Sequence, residues 1–190
     1  MGRKSNAEQR RSEIVWALYD CLAVQGHEKV TIKAIAAQAG LPHGVLHYYF
    51  KRKEDIVSDL AQALVERYGE MLDARLAEAR GDSEEIAVAI DFLVDKLIFD
   101  RSLNRVFFNL IQMAYERETL HQVMTEMFRA YRRRLAKVLS GAGLGRQSGP
   151  LATTAVALAE GFALQWMIEP GVCTRKEVTA ALMRIVGPTP

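Results

Sequence analysis

Apolar residues recur three and four positions apart along almost the whole of this 190-residue chain, and nowhere do they alternate singly over a useful length. That period suits a helix face and not a strand, whose side chains switch sides at every residue. Ile14, Leu18, Cys21 and Leu22 share one face of a helix that Gly26 stops. Ile56, Leu60, Leu64, Tyr68, Met71, Leu72 and Leu76 mark one long helix over residues 53–80. Ser83, with Ile86 and Ile90 behind it, reads as the N-cap of the next. Further helices are expected over 103–116, 119–139, 151–168 and 174–186. Residues 141–150, with four glycines and Pro150, read as a linker, and Glu169-Pro170-Gly171 separates the last two helices. The expected fold class is all-α, with about nine helices.

Composition narrows the setting. With 49% hydrophobic and 25% charged residues, the chain has the make-up of a soluble globular protein and not of a disordered one. Its length bounds it to one large domain or two small ones. Two cysteines, Cys21 and Cys173, make no disulfide framework and fit a reducing, cytoplasmic setting. The apolar run 156–168 is broken by Glu160 and Gln165 and is too short to span a bilayer, so no membrane is expected as a partner. The formal net charge of +2 hides an asymmetry. Up to Lys53 there are nine basic residues against four acidic ones; beyond it acids outnumber bases. One basic end on a near-neutral body points to a polyanion.

The most informative segment is Thr31–Lys53. Thr31 suits an N-cap, and Ile32, Ile35, Ala36 and Ala39 give a short helix one apolar face. Gly40 ends it with the positive φ that a tight helix–helix turn requires. Ala36, four residues earlier, is small where two helices cross. Leu41, Leu46 and Tyr49 or Phe50 continue the core side of a second short helix. This is the spacing of a helix-turn-helix, whose second helix enters the DNA major groove; an ordinary αα-corner has the same outline.

In this segment, and over about residues 11–60, the chain resembles the tetracycline-repressor (TetR) family of bacterial transcription regulators. The resemblance rests on Val30-Thr31-Ile32-Lys33-x-Ile35-Ala36-x-x-Ala39-Gly40 and, above all, on Gly44-x-Leu46-x-Tyr48-Tyr49-Phe50-x-x-Lys53-Glu54. Gly161-Phe162-Ala163-Leu164-Gln165-Trp166 and Pro170 are similar as well. His47 stands where the family often has Tyr. The resemblance implies a three-helix DNA-binding domain at 8–53 and a helical effector-binding and dimerisation domain at 54–190. It also implies DNA contacts from Thr31, Lys33, His43, Gly44, Val45, His47, Tyr48, Tyr49 and Lys53. These roles are chemically reasonable: a helix N-terminus and an ammonium suit phosphates, and Val45 suits a thymine methyl. Phe50 is expected in the core.

A single helix-turn-helix reads a half-site, so the partners expected are a double-stranded DNA operator and a second copy of the chain. Residues 151–168 are apolar around most of the helix, as a buried or interfacial helix must be. Ala155, Ala159, Phe162, Trp166, Val178 and Leu182 are the interface expected there, in an intersubunit four-helix bundle. A central core helix gives the same pattern. The resemblance also implies an unidentified small-molecule effector, enclosed by Phe92, Phe107, Phe108, Tyr115, Met127, Tyr131 and Trp166. Asn109, Gln112 and Gln165 are the polar groups that would orient it or face solvent. His43 and His47 have a metal-ligand spacing but no third ligand nearby. The basic run Arg129, Arg132, Arg133, Arg134 and Lys137 reads as a solvated face. No cofactor, metal or catalytic residue is expected, since no phosphate loop, zinc signature or nucleophile–base arrangement is present. The expected function is a ligand-responsive transcriptional repressor. The alternatives are a helical enzyme or carrier, or a DNA-binding protein without effector.

Overall fold

The structure, a computed structural model, describes residues 2–186, with side chains from Asn6 onward. Arg3 and Lys4, counted in the basic end, have side chains outside the described residues. The elements run α1 (Gly2–Val24), a 3-10 turn (His27–Lys29), α2 (Ile32–Gln38), α3 (His43–Tyr49) and α4 (Lys53–Leu76). Then come α5 (Asp82–Leu93) extended by a π-helical turn (Val94–Ile98), α6 (Arg101–Glu116) and α7 (Glu118–Leu139). A π-turn (Ser140–Leu144) and a 3-10 turn (Gly145–Gln147) lead to α8 (Ser148–Ile168) and α9 (Arg175–Val186). No strand occurs among the described residues.

Three boundaries differ from the sequence expectation. The long helix stops at Leu76 rather than near residue 80. Its 24 residues span about 36 Å at 1.5 Å per residue. Ser83 is not the N-cap of α5. Gly81, at φ 125°, takes that position, and the Glu84 carboxylate accepts from the Arg80 N–H at 2.6 Å. Asp82, Glu84 and Glu85 then place negative charge against the positive end of the helix dipole. The expected linker at 141–150 is a kinked connection, with Gly143 at φ 84° and Gly145 at φ 47°, but it is shorter than expected, because Gly149 and Pro150 fall in the first turn of α8. Proline is tolerated there, since its missing N–H has no partner in the first turn.

The chain folds as two compact units: residues up to Leu64 with Arg105–Glu126, and Val65–Asn104 with the residues from Met127 onward. In the first unit Ile14, Leu18 and Leu22 of α1 pack with Ile35, Leu46, Phe50, Ile56 and Leu60, all inaccessible to solvent or nearly so. In the second, α5 supplies Ile86, Ala89 and Ile90, α8 supplies Ala152, Ala155, Val156 and Ala159, and α9 supplies Val178, Leu182 and Val186 to one core. Asp95 ties this unit together by accepting from Arg75 of α4 and Arg175 of α9. These two guanidiniums, that of Arg175 first, hold its carboxyl below the ordinary carboxylate range. One helical stretch within Glu118–Ile168 is long and apolar enough by composition to cross a membrane, and 28% of its most apolar window is buried. That length, beyond the 156–168 run, arises because α8 already begins at Ser148.

Candidate nucleic-acid interface and effector cavity

The turn between α2 and α3 is built from backbone hydrogen bonds. Thr31 caps α2, its hydroxyl accepting from the Ala34 N–H at 3.1 Å. At the other end the Leu41 N–H donates to the Ala36 carbonyl at 2.9 Å and the Gly40 N–H to the Ala37 carbonyl at 3.1 Å. This Schellman pair demands a left-handed residue, and Gly40 sits at φ 65°. Ala36 is buried at the crossing. Leu46 and Phe50 anchor α3 in the core. Lys33, His43, Gly44, Val45, His47 and Tyr48 are then left on the exposed side, Tyr48 with 83% of its surface free. The rings of His43 and His47 meet edge to face at 5.0 Å between centroids. No cluster of three metal-binding side chains occurs among the described residues.

Two of the expected DNA contacts are partly engaged inside the protein. Tyr49 is half-buried, and its carbonyl accepts from Arg11 Nη1 at 2.7 Å. Lys53 donates from Nζ to the His27 carbonyl at 2.8 Å, and burial pulls its ammonium below the ordinary lysine value. An ammonium has three donors; the carbonyl takes one of them and fixes its position.

Arg11 is a residue that sequence reasoning missed. Its Nη2 also donates to Asp59 at 2.6 Å, and its guanidinium lies 4.1 Å above the Phe50 ring. It therefore clamps the C-terminal end of α3 to α4. Its signal in the sequence is weak: one arginine among several in a basic end.

Asn109 is not a ligand-orienting group. Its Oδ1 accepts the His27 N–H at 2.7 Å, and its Nδ2 donates to the carbonyls of Leu22 at 3.0 Å and Arg105 at 2.9 Å. Within the first unit it fastens α6 to the end of α1 and the 3-10 turn. Gln112 and Gln165 face solvent.

The second unit contains an apolar cavity of about 90 Å³ among α4, α5, α7 and the start of α6. Tyr68, Leu72, Phe92, Leu97, Leu103 and Tyr131 are among its walls, and Arg134 is the one charged residue in its lining. Of the seven residues expected around an effector, it brings together Phe92 and Tyr131. Met127 is buried elsewhere in the core. Trp166 meets the Phe99 ring edge-on at 5.3 Å. Phe107, Phe108 and Tyr115 belong to the first unit, and Tyr115 is 86% exposed. An open cleft of about 650 Å³, flanked by Arg133, Arg134 and Lys137 and by Asp73 and Glu85, shares Ala130 and Arg134 with the cavity. Burial raises the Tyr131 phenol well above its usual range, and the charge of Glu160 adds to this. Glu160 itself is pushed up to about 7, chiefly by burial, and its Oε1 is buried without a partner.

The expected interface residues divide. Ala155, Ala159, Val178 and Leu182 are buried within this chain's own core and are closed to a second copy. A helix apolar all round has two apolar faces; the small alanines take the side where helices approach closely. The larger Leu158, Leu164 and Ile168 are left outside, 37%, 51% and 83% exposed. Phe162 and Trp166 are half-buried at the margin.

Comparison with known proteins agrees with this geometry. The model of bacterial regulatory proteins of the tetR family matches residues 14–60, and that of the BetI-type transcriptional repressor C-terminal region matches residues 83–187. The chain is 27% identical over 139 residues to the fatty acid metabolism regulator protein of Bacillus subtilis, covering 73% of this chain and 69% of that protein. In fold it is similar to the transcriptional regulator FadR from Bacillus subtilis in complex with stearoyl-CoA, with a TM-score of 0.77 at 20% identity, covering 94% of this chain and 99% of that one. It is similar also to a transcriptional regulator from Saccharomonospora viridis in complex with choline, with a TM-score of 0.80 at 17% identity, covering 94% and 96%.

Proposed function

The chain belongs to the TetR family of bacterial regulatory proteins, which are ligand-responsive DNA-binding repressors, and from that premise we propose that it acts in the cytoplasm as a homodimeric repressor released by a small amphiphile. Residues 8–53 are the reading head, and residues 54–190 bind the effector and dimerise. The observation that carries the reading is the α2–α3 pair. Its Gly40 turn and buried Leu46 and Phe50 leave Lys33, His43, Val45, His47 and Tyr48 outward on a basic end. Such a face suits base edges and phosphates of a major groove, with Thr31, Gly44, Tyr49 and Lys53 at its margins.

Two heads must stand about 34–36 Å apart, or a multiple of that, to read a two-fold operator. The outward face of α8, with Leu158, Leu164 and Ile168 exposed, supports dimerisation through that helix. A monomer gains nothing from leaving such residues in water.

The effector site is the cavity beside α4. Relatives that handle fatty acid metabolism or were solved with stearoyl-CoA suggest an acyl chain, and the choline complex suggests a quaternary ammonium. The cavity's own chemistry supports the first. Its walls are apolar, and its one charged lining residue is Arg134, paired with Asp73; a ligand anion can take the place of that carboxylate on the guanidinium, and an ammonium cannot.

The test begins with an operator selected from random DNA by the protein itself, titrated in a gel shift at several salt concentrations. A pseudo-palindromic selected site and a steep salt dependence support the reading. Equal affinity for all sequences contradicts it.

A further inference from the structure

We propose that Arg134 is the effector-sensing residue of the second unit, giving up Asp73 of α4 to take the anionic head of an amphiphile whose alkyl tail enters the cavity. The inference rests on the reading of that cavity as the effector site and adds the ligand's head group and the contact it breaks.

Arg134 stands at a boundary. It lines the apolar cavity on one side and the cleft with Arg133 and Lys137 on the other. Its Nε donates to Asp73 Oδ1 at 3.2 Å, and its Nη2 pairs with Asp73 Oδ2. Position 69 is glycine where the guanidinium lies over α4; a Cβ there would stand 2.8 Å from Arg134 Cζ. The missing side chain makes the place for the fork. A guanidinium fork of this kind fits a ligand carboxylate as well as that of Asp73. The pair is easily exchanged, since the Asp73 side chain is 61% exposed and ion pairs in water are weak.

The tail supplies the other half of the argument. A cavity of about 90 Å³ is smaller than the roughly 150 Å³ apolar cavity that admits benzene. An alkyl chain therefore enters only by parting the walls. Two of those walls are α4 and α7, and the Arg134–Asp73 pair ties them. Head and tail act on the same joint: one removes the tie, the other holds the helices apart. A ligand that binds the parted arrangement better shifts the protein toward it.

The experiment is calorimetric titration of the full chain with decanoate, decanol and decyltrimethylammonium, all below their aggregation concentrations. Decanoate is expected to bind about tenfold or more tighter than decanol, and decyltrimethylammonium more weakly than both. Arg134→Gln should erase the advantage of decanoate, while decanol, whose tail no longer has the α4–α7 tie to part, binds at least as tightly as it does to the wild type. Gly69→Ala, which displaces the guanidinium without removing charge, should reduce that advantage. Asp73→Asn, which removes the competing carboxylate, should strengthen decanoate binding several-fold. Leu97→Phe, which fills the cavity, separates the two levels of the account. If it abolishes binding of all probes while Arg134→Gln changes nothing, the role of Arg134 is overturned and the cavity stands. If it leaves binding untouched, both fall. Equal affinities of decanoate and decanol for the wild-type protein, or no binding by any probe, also overturn the inference.

Discussion

Asn109 carries more of the first unit than its sequence context suggests. Its partners are main-chain atoms of Leu22, His27 and Arg105, two of them more than eighty positions away, so no local pattern encodes its role. A polar residue on an apolar helix reads equally as a ligand contact. Asn109→Ala strips the buried His27 N–H of its acceptor and should cost about 1–3 kcal/mol of stability, measured by urea unfolding. No loss would show that water replaces the amide. Glu160 is the second buried polar residue with a measurable consequence. Burial raises its carboxyl to about 7. Between the ordinary carboxyl value and 7 the folded state keeps a proton that the unfolded state has lost, so stability falls as pH rises through that window. Glu160→Gln should therefore raise the melting temperature at pH 8, by an amount equivalent to about 1–3 kcal/mol. The gain should fade toward pH 4. An equal gain at both pH values would contradict the assignment.

At the scale of elements, what was legible was what the backbone itself enforces. Thr31, Ala36 and Gly40 announce the cap, the close crossing and the left-handed turn, and each is found in that role. Gly40→Ala should destabilise the first unit by about 1–2 kcal/mol, since its φ of 65° carries a penalty for any Cβ. Replacing Lys33 by Ala should weaken operator binding and, if it meets a phosphate, lower the salt slope by about 1. What was not legible was the phase of α8. A helix apolar on all sides gives no periodic signal of which side faces its own core. Four of the expected interface residues accordingly lie inside. Leu164→Asp, on the outward face, should dissociate the proposed dimer in sedimentation while leaving helicity unchanged; an intact dimer would move the interface elsewhere, and a monomeric wild type would contradict the assembly. The proposed effector site was half-legible for a related reason. Aromatic residues mark buried helices, but their pattern does not say which of them share a cavity. Phe92 and Tyr131 do, and Gly69 and Arg134 were silent because their meeting depends on how α4 and α7 cross.

For the whole molecule, the element of consequence is α4. It is one unbroken helix from Lys53, where Nζ holds the His27 carbonyl, to the turn that carries Asp73 and Arg75 and their partners Arg134 and Asp95. A change at one end of such a helix is a change in the backbone that the other end is made of. The account's central claim is therefore a coupling between effector and operator, and thermodynamics requires it to be reciprocal. The direct test measures four constants on the full chain: operator affinity with and without saturating decanoate, and decanoate affinity with and without saturating operator. The account predicts that each ligand weakens the other by one common factor, in the range of about 5–150-fold. Decanoate that binds the cavity and leaves operator affinity unchanged would contradict it.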